Sequence, residues 1–190
     1  MALNWTMLTP ERTPVPLPHE MTITSVDSAE VILRIPDAPP AQDARAGGSG
    51  GSRELKAAGK VSVTDMRFIF TSASPNTSFE SLSVPLPSIL SSKFEQPTFG
   101  ANYLSLGIKP ASEGGLSEGT TAEVRFKNQP MFSFVAILEK TRERAIYMKR
   151  QEAENEEGLP VYTDPSEGSS SSSAGGRATV PADAPPSYDA

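Results

Sequence analysis

Glu30-Val31-Ile32-Leu33-Arg34-Ile35 places Val31, Leu33 and Ile35 on one face of an extended chain, with Glu30 and Arg34 among the residues opposite. A side-chain period of two is that of a β-strand, because successive Cβ atoms point to opposite faces of the pleat. The same alternation returns at Val61 and Val63, Phe68 and Phe70, Leu82, Val84 and Leu86, Leu104, Leu106 and Ile108, and Ala122, Val124 and Phe126. One apolar face per strand describes antiparallel strands that bury one side only. Pro85 and Pro87 have no N–H to give to a ladder, so the strand through Leu82 and Val84 is expected at a sheet edge or to end there.

The pattern changes once. After Pro130, a residue suited to the first helical position because its missing N–H would be unpaired there anyway, an apolar stripe runs Met131, Phe134, Val135, Leu138, Ala145 and Met148 at helical spacing. Lys140, Arg142, Arg144, Lys149 and Arg150 crowd the second half, where cations favour the negative end of the helix dipole. The expected fold is therefore mostly β with one C-terminal α-helix.

Around this lie segments that cannot build a core. Residues 36–57 contain Pro36, Pro39 and Pro40 followed by Gly47-Gly48-Ser49-Gly50-Gly51-Ser52, and they read as a flexible insertion between strands. Residues 152–190 carry eight acidic side chains against Arg177 alone, a net of −7, which leaves residues 1–151 near neutral at +1 of the total −6. With Ser169 to Ser173 and Gly175-Gly176, this stretch reads as a disordered acidic tail. The expected organisation is thus an N-terminal segment at 1–19, a domain at 20–151 and the tail at 152–190. About 110 residues remain once the low-complexity stretches are set aside, enough for one modest core.

Several function classes are excluded by residue type. The chain has no cysteine and one histidine, His19, so thiolate nucleophiles, cysteine-ligated metals, multi-histidine sites and a histidine triad cannot be assembled. Gly59-Lys60 is followed by Val61 and preceded at the Walker spacing by Glu54, and Gly48 and Gly50 are followed by Arg53 where a dinucleotide loop needs glycine. No metal, cofactor, small-molecule substrate or enzymatic activity is expected. The acidic tail argues against direct binding of nucleic acid, whose affinity comes mainly from neutralised phosphates. With no apolar run near 18 residues and no basic region opening the chain, an intracellular, soluble protein is expected.

What the tail does carry is Pro185-Pro186-Ser187-Tyr188. The two prolines fix φ near −65° and favour polyproline II, so much of the ordering entropy is lost before a partner arrives, and Tyr188 offers an aromatic face with a polar tip. WW domains bind such Pro-Pro-x-Tyr segments between aromatic side chains. Leu159-Pro160-Val161-Tyr162 resembles the weaker Leu-Pro-x-Tyr form, with Leu159, Pro160 and Tyr162 as a second candidate ligand 26 positions before the first. Two ligands on one tether could engage tandem WW domains.

Phe94-Glu95-Gln96-Pro97-Thr98-Phe99-Gly100-Ala101-Asn102-Tyr103 closely resembles the Gln-Pro-x-Phe-Gly-Ala-Asn-Tyr signature of the WW-domain-binding protein 2 family. Gly59 to Phe70 looks like that family's strand pair, and Met1-Ala2-Leu3-Asn4 matches its usual start. The resemblance spans residues 20–35 and 58–148. It implies a GRAM domain, a pleckstrin-homology-like bent antiparallel sheet capped by the helix, and a tail that recruits WW-domain proteins such as HECT-type ubiquitin ligases and transcriptional coactivators. It further implies a coactivator with chromatin association through partners, in nucleus and cytoplasm. The tail departs from that pattern in being short and in retaining one clear motif where relatives often have several. Membrane phosphoinositides are the rival ligand, weakened because Arg45, Arg53 and Lys56 are interleaved with Asp37, Asp43 and Glu54. Within the signature, Gly100 or Asn102 would supply a tight connection with positive φ, and Phe99 and Tyr103 are expected in the core.

Overall fold

The computed structural model describes residues 2–4, 6–37, 51–75, 77–127 and 130–157, and residues 1–157 form one compact unit. Eight strands make a single sheet: β1 (Ala2–Leu3), β2 (Thr22–Pro36), β3 (Ser52–Thr64), β4 (Arg67–Ser72), β5 (Ser81–Pro85), β6 (Ile89–Glu95), β7 (Tyr103–Ile108) and β8 (Thr121–Phe126). A 3₁₀ turn at Leu86–Ser88 joins β5 to β6, and α1 (Met131–Glu157) follows β8. The spatial order is β1-β5-β4-β3-β2-β8-β7-β6, antiparallel throughout except for the parallel β1–β5 pair.

The connection between β5 and β6 dictates the shape. These strands stand at opposite sides of the sheet, yet three residues join them. Three residues reach no more than about 11 Å, so the sheet has to curl until β5 and β6 come close, without pairing. The bend is built into the long pair β2 and β3: the register shifts between Val26 and Ala29, a bulge with Ser28 at φ 62°. At the same level Gly59 faces Ser72 of β4, and a Cβ on Gly59 would collide with the Thr71 carbonyl oxygen and with the Ser72 backbone. Gly59→Ala is therefore expected to destabilise the protein by about 1–3 kcal/mol through overpacking against backbone that cannot yield; a chemical-denaturation midpoint unchanged from the wild type would contradict that close approach.

The curled sheet encloses the expected core. Val31, Leu33, Ile35, Val61, Val63, Phe68, Phe70, Leu82, Val84, Leu86, Leu104, Leu106, Ile108, Ala122 and Val124 are all buried. Phe70 and Phe79 meet with ring centroids 5.1 Å apart. The strand with Pro85 ends at that residue, as its missing donor requires. The helix contributes Met131, Phe134, Val135 and Leu138 to the same core, with Phe134 edge-on to Phe126 at 4.9 Å. It lies on the 3₁₀ turn, β6 and β7, and Arg142 Nε donates to the Ile89 carbonyl at 2.8 Å. Packing stops there: Ala145 is half-buried, Tyr147 and Met148 are exposed.

Three boundaries differ from the expectation. Residues 52–57 are not part of a flexible insertion but open β3, paired as far as Pro36↔Ser52, because Leu55 and Ala57 alternate inward against Leu33 and Val31. Residues 38–50 lie outside the described residues. The helix runs to Glu157, past the boundary at 151. Residues 1–19 are not a separate segment either, since Leu3 is fully buried in the core and β1 extends the sheet beside β5.

Candidate functional site

The signature segment shows best how sequence becomes surface. β6 ends at Glu95 and β7 starts at Tyr103, and every residue from Gln96 to Asn102 is exposed. Gly100 sits at φ +115°, a conformation that side chains rarely adopt, so the turn expectation holds at this residue. Phe99 overturns its expectation: it is 92% exposed, within the connection between β6 and β7 whose residues all face solvent. Tyr103 is half-buried. It lies beside Arg125 across the β7–β8 ladder, and the guanidinium carbon stands 5.4 Å from its ring centroid, a cation–π contact.

Because β7 and β8 are antiparallel, the start of one and the end of the other share an end of the sheet, and α1 begins there. Phe132, in its first turn, is 75% exposed. That end of the barrel therefore presents Phe99, Phe132 and the Tyr103–Arg125 stack to solvent. Aromatic and arginine side chains are the types enriched where proteins bind proteins. The sequence carries one clue to this exposure: an aromatic beside a positive-φ glycine between two strands belongs to the connection, not to either strand.

At the opposite end, where β2 ends and β3 begins, lie the described cations that bear on a phosphoinositide. Here Arg34 and Lys56 are matched with carboxylates, while Arg53, opposite Ile35 on β3, has no ion pair among the described residues. Arg34 Nη1 meets Glu123 Oε1 at 2.7 Å and its Nε lies 3.5 Å from Glu54 Oε2, while Lys56 Nζ meets Glu30 Oε2 at 3.1 Å. Arg45 and Asp43 fall outside the described residues.

Residues 6–20 strap the outer face of β3 and β4. Leu8 and Pro14 bridge to each other, and Met21 and Asp65 exchange a backbone bond and a side-chain bond. The strap is anchored by a buried pair. Arg67 donates through Nε to Glu20 Oε1 at 2.7 Å and through Nη2 to Oε2 at 2.9 Å, and Nη2 also reaches the Val15 carbonyl at 2.7 Å. The Thr64 hydroxyl and the Leu17 amide donate to the same carboxylate. Burial pushes the Glu20 carboxyl up, but the Arg67, Leu17 and Thr64 hydrogen bonds and the Arg67 charge outweigh it and hold its pKa below the ordinary 4.5. Neither partner stood out in the sequence, because the pair joins residues 47 positions apart.

His19 is exposed, and among the described residues no group of three His, Asp or Glu side chains is placed to hold a metal. No helix among them is long and apolar enough to cross a membrane. Pro185, Pro186, Ser187 and Tyr188, like Leu159, Pro160 and Tyr162, lie outside the described residues.

The architecture is that of a pleckstrin-homology domain. The chain superposes on the Vps36 N-terminal PH domain with a TM-score of 0.52 at 16% identity, over 77% of this chain and 96% of that one. In sequence it is 27% identical over 77 residues to a UPF0664 stress-induced protein of Schizosaccharomyces pombe, a match covering 40% of this chain. The match spans less than half of that relative, 44% of its length. No protein-family model matches the chain.

Proposed function

We propose that this protein is a non-enzymatic adaptor of the WW-domain-binding protein 2 type, in which a GRAM domain with the pleckstrin-homology architecture carries a WW ligand at residues 185–188. The observation that carries the reading is the motif Pro185-Pro186-Ser187-Tyr188 itself, outside the unit of residues 1–157 in sequence. The exposed aromatic rim at Phe99 and Phe132 supports a domain that contacts a protein. The partner class is a WW-domain protein, either a HECT-type ubiquitin ligase or a transcriptional coactivator. The coactivator role, chromatin association through such partners and residence in nucleus and cytoplasm rest on the family resemblance.

The test is a titration of residues 178–190 as a peptide against a panel of WW domains. Tyr188 is the anchor, so Tyr188→Ala is expected to weaken binding by about 2 kcal/mol or more, roughly 30-fold. Pro185→Ala should weaken it less, and Ser187→Ala should be tolerated. Phosphorylated Tyr188 should bind poorly, because the group brings a charge of about −1.5 to −2 into a largely apolar pocket. Equal affinities for native and Tyr188→Ala peptides, or no binding across the panel, would remove the reading's main support.

A second reading, a module for membrane phosphoinositides, draws on the pleckstrin-homology architecture. The ion pairs of Arg34 and Lys56 weigh against it, since cations already matched with carboxylates gain little from a phosphate. Saturable binding of the tail-less protein to phosphoinositide vesicles would reverse that order.

A further inference from the structure

The N-terminal strap does more than cover β3 and β4. Between its hairpin at Glu11–Pro14 and the outer face of the sheet lies a cleft of about 700 Å³. Its floor is the stretch Ala58-Gly59-Lys60 beside the bulge at Asp27 and Ser28, and one wall ends at Lys127, the residue after β8. Three cations from three separate segments line it, Arg12, Lys60 and Lys127, against Glu11 and Asp27. Pro14 and Ala58 contribute apolar wall.

Arg12 is the unusual member. Its backbone is held at φ 62°, an uncommon conformation for a residue with a Cβ. Its Nη2 donates to the Ser74 carbonyl at 3.1 Å, but its Nη1 is buried without a hydrogen-bond partner. A buried guanidinium nitrogen left unpaired is costly, and each such group in a folded protein calls for an explanation. Among the described residues Lys60 is engaged by Asp27 alone, at 3.2 Å with both side chains more than half exposed, so this pair is weak and easily exchanged. An anion in the cleft would lie beside the Arg12 side chain, draw Lys60 from Asp27 and gain Lys127.

We infer that this cleft binds a phosphomonoester attached to a small apolar body. A phosphate dianion matches the arginine fork and the two ammonium groups, and the apolar walls suit a ring or chain bearing it. The site is built on the strap and the outer face of the sheet, apart from the turn between β2 and β3, and it stands independently of WW binding. The ester could be free or the headgroup of a lipid, and the two sources are separable.

The experiment titrates the full chain with phenyl phosphate while amide resonances are followed by NMR, in the wild type and in Arg12→Gln and Lys127→Gln. Saturable shifts confined to residues 11–13, 58–62 and 127 are expected, with affinity reduced about tenfold or more in Arg12→Gln. Because Arg12→Gln could loosen the hairpin, Lys127→Gln, at an exposed position, provides the second reading and should also weaken binding. In parallel, phosphatidylcholine vesicles doped with a phosphatidylinositol monophosphate are co-sedimented with the same three proteins. Given phenyl phosphate binding, vesicle capture that Arg12→Gln abolishes assigns the lipid source, and no capture assigns the free ester; either supports the site. No saturable phenyl phosphate binding, shifts elsewhere on the domain, or wild-type affinity in both variants overturns it, as does vesicle capture without phenyl phosphate binding.

Discussion

Arg67→Ala is expected to destabilise the domain by about 3–5 kcal/mol, because it leaves the Glu20 carboxylate, only 2% exposed at its side chain, buried without its counter-charge. The loss extends beyond the pair: Arg67 also holds the Val15 carbonyl, so the strap should detach from the sheet at its anchored end. Equilibrium denaturation checks the magnitude, and hydrogen exchange of residues 6–20 checks the location. The pH dependence follows from the direction of the Glu20 shift. Its folded pKa lies below the ordinary 4.5, so the unfolded chain takes up this proton first as pH falls. The stabilisation is complete above about 4.5 and is withdrawn as the pH drops through the lowered folded value. Glu20→Gln should remove that part of the acid sensitivity. An acid-unfolding profile identical in slope to the wild type would show that another carboxylate carries it.

Phe134→Ala should cost about 3–5 kcal/mol, since the side chain is buried among the barrel core and stands edge-on to Phe126. Leu138, fully buried one turn later, belongs to the same contact. By contrast Phe132, two residues before Phe134 and exposed, should tolerate alanine within about 0.5 kcal/mol. The pair of variants, measured by denaturant unfolding, tests the helix orientation directly. Similar losses at 132 and 134 would mean that the helix packs through a different face.

The strands with clean alternation, such as Leu33-Arg34-Ile35 and Leu104-Ser105-Leu106, are legible because one face is core and the other carries polar side chains. The helix was legible for the same reason through Leu138, and less so beyond it, where Met148 continues the stripe without packing. β6 was not read as a strand. It lies at the end of the sheet, and Ser91 and Lys93 face water, so the only fully buried side chain in Ile89–Glu95 is Ile89. β1 is two residues long and its place is set by contacts made with residues 81–82 and 114, which no local pattern announces. The cleft under the strap was illegible for a similar reason: its cations come from positions 12, 60 and 127. Phe99 was misread because hydrophobicity alone does not distinguish a core aromatic from one carried on a turn.

The curled sheet still has two free sides, and how each is closed bears on the protein's solubility. An unpaired strand edge is a template for another chain to join. On one side β5 is masked by the parallel residues Ala2–Leu3. On the other, Arg142 occupies the Ile89 carbonyl and its Nη2 approaches the Leu90 carbonyl at 3.4 Å, so a helix side chain takes the place a neighbouring strand would want. Protection against edge-to-edge aggregation thus rests on two small devices from the far ends of the folded unit, one of them only two residues long. Removing Ala2 and Leu3 would leave the barrel's strands intact in sequence and open one of its borders to a second molecule.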